Sequence, residues 1–522
     1  MLRNKACVLV ILFALVATLA APLSAQPILT PKPSPKPRIN GASVFGVRPG
    51  SPFQYRIPAT GERPIEFGAS DLPAGLTLDP KSGLITGVLK ERGEYLVVLK
   101  AKNALGTAER KFKIVCGDTL ALTPPMGWSS WYMAYTNISD EMIRAQAKAM
   151  VDSGLADHGY VYVNIDDGWN IKLETDDPDL GGPPRDENGN LRSNKRFPDM
   201  KALCDYVHGL GLKIGIYISP GPATCAGYAG SYGHEEQDAR QFAAWGFDFL
   251  KYDWCSYDKV VPDRGLDNLK KPYLLMRGEL DKLGRDLVYN LCQYGMGNVW
   301  EWGREVGGNY WRTTGDLGIP PEDRSLWTSM SRIGFGQAGK EQFAGPGGWN
   351  DPDNILLGYI MWDGVLKEAP LRSDEQYTYM SLWALLASPL IFGGDMTQLD
   401  DFTLGLLTND EVIEVNQDPL GKQAVPVARD GTSEVWVKDL EDGSKAVGLF
   451  NRGERATTVT ARWEELGLKG RWKVRDVWRQ WDFGVHEGWY TQRVNRHGAV
   501  LVRLSPAKDM PPPAPAKPIK KR

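Results

Sequence analysis

Histidine is scarce in this chain, with five among 522 residues, and none ends a strand-like run. That scarcity argues against a zinc site, which draws on histidine and cysteine. It also argues against a serine nucleophile, which needs a histidine base beside it. An excess of one charge is missing too. The 61 basic residues nearly balance the 64 acidic ones, for a net charge of -3. Nothing in that balance favours nucleic acid or an acidic membrane surface as partner. No glycine-rich phosphate turn follows the first strand of the central region, and no long internal repeat is present.

Long apolar runs are also lacking, except at the start. Arg3 and Lys5 precede "ACVLVILFALVATLAAPL", and Ala25 offers a small residue for cleavage. This pattern marks residues 1–25 as an export signal and the mature chain as secreted or periplasmic, with no membrane span after cleavage. Disulfides are allowed there. Cys7 leaves with the signal, so the remaining cysteines are odd in number and at least one stays unpaired. Asn137-Ile138-Ser139 is a glycosylation sequon.

Residues 26–38 form a proline-rich linker, expected to be extended and mobile. Residues 39–117 break into short strand-like runs ("PFQYRI", "GLTLD", "LITGVL", "GEYLVVLKAKN", "ERKFKIV") between glycine, proline and aspartate turns. They resemble a small bacterial Ig-like β-sandwich, expected in a structural or spacer role. Residues 118–405 alternate strand and helix. "SDEMIRAQAKAMVDSG" starts with Ser139 as N-cap, buries Ile143, Ala147 and Met150, and stops at Gly154. About eight such units indicate a (β/α)8 TIM barrel rather than an open doubly wound sheet. Residues 406–506 return to antiparallel strands, a C-terminal β-sandwich, and 507–522 form a disordered tail.

In a barrel, side chains at the C-terminal strand ends converge on one mouth. The strand "GFDFLKYD" ends in Lys251 and Asp253. The same rim receives Asp166 and Asp167, Tyr217, Gln293, Arg312 with Asp316, and Asp353. A ring of acids is costly to bury unless it is used. Lys251 and Arg312 sit where a divalent ion would repel them, so no metal and no cofactor is expected. What remains is a carboxylate pair, one attacking an anomeric carbon and one protonating the leaving oxygen.

The segments "TPPMGWSSW", "NIDDGW", "KIGIYI", "TCAGYAGSYG", "DFLKYD", "WRTTGD" and "GGWNDPD" resemble, in this order, the signatures of glycoside hydrolase family 27, best known for α-galactosidases. The likeness spans residues 120–505 and implies a retaining exo-acting hydrolase of terminal α-galactose. It implies Asp253 as nucleophile and Asp316 as acid/base, with carboxyls roughly 5–5.5 Å apart. Lys251 is expected to keep Asp253 ionised, and Asp316 to sit in less cationic surroundings. Asp166 and Asp167 are implied as holders of the distal hydroxyls, and Trp131 and Tyr217 as pocket walls. Arg312 and Asp353 are implied near the 2-hydroxyl, and Cys225–Cys255 as a disulfide.

Three departures are expected at the pocket rim: Trp254, Gln293 where many members carry glutamate, and an enlarged loop at 174–182. Family alternatives are isomalto-dextranase, β-L-arabinopyranosidase and α-N-acetylgalactosaminidase. Keeping both Asp166 and Asp167 weighs against the second, and Gln293 against the third. A non-enzymatic sugar-binding protein is a further alternative, opposed by intact Asp253 and Asp316.

Overall fold

The computed structural model of the chain describes residues 28–318 and 325–507. The expected export signal and C-terminal tail lie outside the described residues, apart from Ala507. The centre is a parallel barrel. Its strands are β1 (Met126–Ser129), β2 (Tyr162–Asn164), β3 (Lys213–Ile218), β4 (Phe249–Asp253), β5 (Val288–Cys292), β6 (Tyr310–Arg312), β7 (Trp349–Asp351) and β8 (Leu390–Phe392). Each pairs with its sequence neighbour from β1 to β7, and β1 also pairs with β8. Ile355, just beyond β7, closes the ring. Its N–H donates to Ile391 O at 2.7 Å, and its carbonyl accepts from Gly393 N at 2.9 Å.

Helices follow the strands in turn: α1 (Asp140–Asp152), α2 (Met200–Gly209), α3 (Glu235–Trp245), α4 (Leu266–Leu280), α5 (Val299–Trp302), α6 (Leu326–Phe335), α7 (Ser373–Leu385) and α8 (Asp401–Leu407). α1 forms for the reasons its sequence states. The Ser139 side chain accepts from Met142 N, Asp140 and Glu141 lie in the first turn, and Ile143, Ala147 and Met150 are buried. Gly154 follows with φ 85°, where a glycine costs least.

Helix continues past the expected boundary at 405, through α9 (Asp410–Asn416). Its Val412, Ile413 and Val415 read as strand formers, but Asn409 caps it by accepting from Glu411 N and Val412 N. The first strand of the C-terminal domain starts only at Val425. That domain is a six-stranded antiparallel sheet with a two-stranded companion, as expected.

The N-terminal module packs a four-stranded sheet on a three-stranded one over its own core, which includes Phe53, Phe67, Ile85 and Phe112. It is tied to the barrel by several polar contacts. The Arg48 backbone N–H and Nε donate to Asp286 at 2.9 and 2.6 Å, and Ser51 Oγ adds a third bond at 2.8 Å. Arg56 and Arg63 both reach Asp157. The described part of the linker is held as well: Leu29 N donates to Tyr377 Oη and Thr30 Oγ1 to Gly405 O. These two bonds, each joining a backbone group to a side-chain hydroxyl, fasten Leu29 and Thr30 to the barrel where the prolines alone suggest freedom. Asp286→Ala would remove three hydrogen bonds between module and barrel, although Arg48 keeps Arg285 O at 2.6 Å and Asp281 at 3.5 Å, and is expected to cost about 1–2 kcal/mol. Calorimetry, together with faster proteolytic release of the module, checks this.

Candidate active site

The lower interior of the barrel is plugged by Tyr162, Phe249, Val288, Tyr310, Trp349 and Ala387, all buried. A cavity opens above this plug, with Phe249 and Tyr310 in its floor. β4 shows how one strand builds both layers. Side chains alternate across a strand, so Leu250 and Tyr252 turn outward into the large core under the helices. Phe249, Lys251 and Asp253 then face inward, one above the other. An apolar strand therefore ends in a lysine and a carboxylate because its inward positions climb from the apolar floor at Phe249 into the polar part of the cavity.

Asp253 and Asp316 both line this cavity, with Trp131, Asp166, Tyr217, Lys251, Arg312 and Asp353. Asp253 is the deeper acid, its side chain 7% exposed, and Asp316 lies nearer the mouth at 23%. Two expected residues are not in the lining. Asp167 is buried, with one oxygen accepting from Thr224 Oγ1 at 2.8 Å and the other from Ala226 N at 2.9 Å. It anchors the loop that carries Cys225. Gln293 is fully buried, its Nε2 donating to Arg312 O at 3.3 Å.

Tyr294 takes the wall position expected of Gln293. β5 ends at Cys292, and Tyr294 follows with φ 63°, which swings its ring into the cavity. Its hydroxyl donates to Asp253 Oδ1 at 2.6 Å. Tyr217, by contrast, has its hydroxyl 3.3 Å from Cys255 Sγ. Cys225 and Cys255 form the expected disulfide, and Cys116, Cys204 and Cys292 are buried free thiols.

The charge pairing departs from the expected one. Lys251 Nζ bonds Asp166 Oδ2 at 2.8 Å and stands 4.0 Å from Asp253 Oδ2. It also sits 5.0 Å from the centre of the Tyr217 ring. Arg312 bonds Asp316 at 2.9 Å and Asp353 at 3.0 Å, so the surroundings of Asp316 are cationic after all. Five lining carboxylates (Asp166, Asp253, Asp316, Asp351, Asp353) thus share two cations. Burial raises the Asp253 carboxyl to about 6, against the pull of Lys251 and of the Tyr294 hydrogen bond. Burial likewise raises Asp351 to about 7, against Arg312, and raises Asp353. The site therefore retains protons close to neutral pH, as a shared property of coupled groups.

Asp353 has φ 124°, unusual for any residue but glycine. Tyr132 Oη and Leu317 N both donate to its Oδ2, at 2.7 and 2.8 Å, and Trp383 Nε1 holds its carbonyl at 2.9 Å. Neither Trp254 nor the enlarged loop is part of the lining. Trp254 is buried against Tyr257 and Tyr273, because its place after Asp253 directs it outward. Just before the loop at 174–182, Leu173 N donates to Gly227 O at 2.9 Å, and Lys172 N folds the loop back by donating to Leu180 O at 2.9 Å. Among the described residues, Cys225, Asp253 and Cys255 are the one grouping close enough to hold a metal ion. Both sulfurs are spent in the disulfide, so this donor set does not suit one.

The family models agree with this architecture. The one described as Alpha galactosidase A matches residues 123–418, and its C-terminal beta sandwich domain matches 430–504. An Ig-domain model matches 36–117. Alpha-galactosidase A of Cellvibrio japonicus is 39% identical over 409 residues, covering 74% of this chain and 93% of its own. A candidate alpha-galactosidase of Bacteroides fragilis superposes with a TM-score of 0.83 at 36% identity, covering 91% of this chain and 98% of its own. Alpha-galactosidase I of Mortierella vinacea gives a TM-score of 0.65 at 31% identity, covering 74% and 97%. Acids, cavity and sequence likeness agree, and the chain belongs to the α-galactosidase family, glycoside hydrolase family 27.

Proposed function

We propose that the protein is an exported, retaining exo-α-galactosidase, with Asp253 as nucleophile and Asp316 as acid/base. The observation that carries this reading is the single plugged cavity into which both acids project from β4 and from the end of β6. A floor closed by buried aromatics admits a terminal sugar and not a threaded chain. Asp166 with Lys251 offers an acceptor and a donor side by side, which suits a pair of neighbouring hydroxyls. Trp131 supplies an apolar wall. Asp316, nearer the mouth, stands where an aglycone oxygen leaves.

In the first step Asp253 attacks the anomeric carbon while Asp316 gives its proton to the departing oxygen. In the second, Asp316 takes a proton from water, which displaces Asp253. Galactose release from raffinose, against isomaltose release from dextran, separates this activity from that of an isomalto-dextranase. Export is supported by the N-terminal pattern and the disulfide. Sequencing the N-terminus of the mature protein tests it.

The pH profile has a defined sign. Asp253 attacks only when ionised, and burial raises its carboxyl to about 6. On these grounds the acid limb of kcat/KM is expected to fall as pH drops through about 6, while the need for a protonated Asp316 sets a separate loss on the basic side. A profile still flat at pH 4.5 would remove Asp253 as the titrating nucleophile.

A further inference from the structure

Tyr294 belongs to no expected role, yet its hydroxyl makes a short contact to the deeper acid, 2.6 Å to Asp253 Oδ1. Two consecutive residues, Tyr294 and Gly295, take positive φ (63° and 85°) directly after β5. That turn aims the ring. The hydroxyl also lies 3.4 Å from Cys225 Sγ and 3.7 Å from Cys255 Sγ, so the disulfide backs it from behind. Burial and the Asp253 charge hold the phenol well above its ordinary value, which keeps it a donor at any working pH. The other oxygen of Asp253, Oδ2, faces Lys251 at 4.0 Å.

We propose that Tyr294 is a positioning residue for the nucleophile: it fixes Asp253 Oδ1, leaves Oδ2 as the attacking oxygen, and stabilises the carboxylate released in the second step. This rests on the assignment of Asp253 above. When the intermediate forms, an Oδ2 electron pair makes the bond to the anomeric carbon. The bond from that carbon to the leaving oxygen breaks with its pair, and Asp316 supplies the proton. When it breaks down, water attacks, Asp316 takes the water proton, and the carbon–Oδ2 pair returns to Asp253. Tyr294 keeps its proton throughout. Its hydrogen bond is strong to a carboxylate and weaker to the carbonyl oxygen of the ester intermediate. The bond therefore favours breakdown more than formation.

The test is Tyr294→Phe, which keeps the ring against the disulfide and removes only the hydroxyl. On p-nitrophenyl α-galactoside, kcat is expected to fall about tenfold, with KM falling alongside and a burst of nitrophenol preceding the steady state. The acid limb of kcat/KM is expected to move up by about half a unit to one unit, because a donor that favours the charged form is gone. An unmoved limb with no burst overturns the inference, and so does a loss confined to melting temperature and kcat/KM. Wild type measured alongside separates the two failures. If wild type releases no galactose, the assignment of function falls. If wild type turns over normally and Tyr294→Phe matches it, only the role of Tyr294 falls.

Discussion

Asp253→Asn is expected to lower kcat/KM on p-nitrophenyl α-galactoside by on the order of 10⁴-fold or more, with the fold intact. The amide keeps the size of the carboxyl but is not a nucleophile, so no covalent intermediate forms. The Tyr294 hydroxyl still finds an amide oxygen to donate to. The variant should not lose stability. Five carboxylates crowd around two cations in the cavity, and burial already works against the charge of Asp253. Removing one charge relieves repulsion, so the melting temperature is expected to stay level or rise. Activity lost together with several degrees of melting temperature would point to a structural residue instead.

Asp316→Asn should give a different signature, because an acid is needed only where the leaving group is poor. On raffinose, whose departing oxygen belongs to a sugar hydroxyl, the rate is expected to fall by about 10²–10⁴-fold. On a nitrophenyl substrate the first step needs little proton help, so the loss in kcat/KM should be much smaller. Added azide, which needs no general base, should speed the second step and give a galactosyl azide. Arg312 retains Asp353 as a partner at 3.0 Å, so the guanidinium is not stranded and the fold should hold. Equal losses on both substrates would assign Asp316 to binding rather than to proton transfer.

Most of the architecture was legible in the sequence because it rests on local rules. The cap and buried stripe of α1 follow from Ser139, Ile143, Ala147 and Met150. The inward face of β4 follows from alternation, which placed Lys251 and Asp253 together on the cavity side. What misled was setting the family likeness above those rules. Gln293 was expected at the rim because many family members carry glutamate there, whereas β5 turns Val288 and Asn290 inward and its alternation selects Tyr294. Trp254 was misplaced at the rim, although as the next residue after an inward Asp253 it had to turn outward.

Long-range pairing was less legible still. Spacing two residues apart put Lys251 beside Asp253, yet its nearest carboxylate is Asp166 on β2's loop, at 2.8 Å. The spacing from Arg312 to Asp316 is four residues, and the resulting 2.9 Å ion pair departs from the expected surroundings, less cationic or more apolar than those of Asp253. The proline-rich linker illustrates the same limit. Its composition describes an isolated chain, whereas Tyr377 and Gly405, remote in sequence, decide where Leu29 and Thr30 lie.

The central claim is a covalent bond between the sugar and one named oxygen-bearing side chain on β4. A fluorinated α-galactosyl fluoride that slows the second step should inactivate the enzyme with one label per chain. Digestion and mass spectrometry should then find the added sugar mass on the peptide containing Asp253. A label on any other acid, or full turnover with no trapped species, would contradict the account.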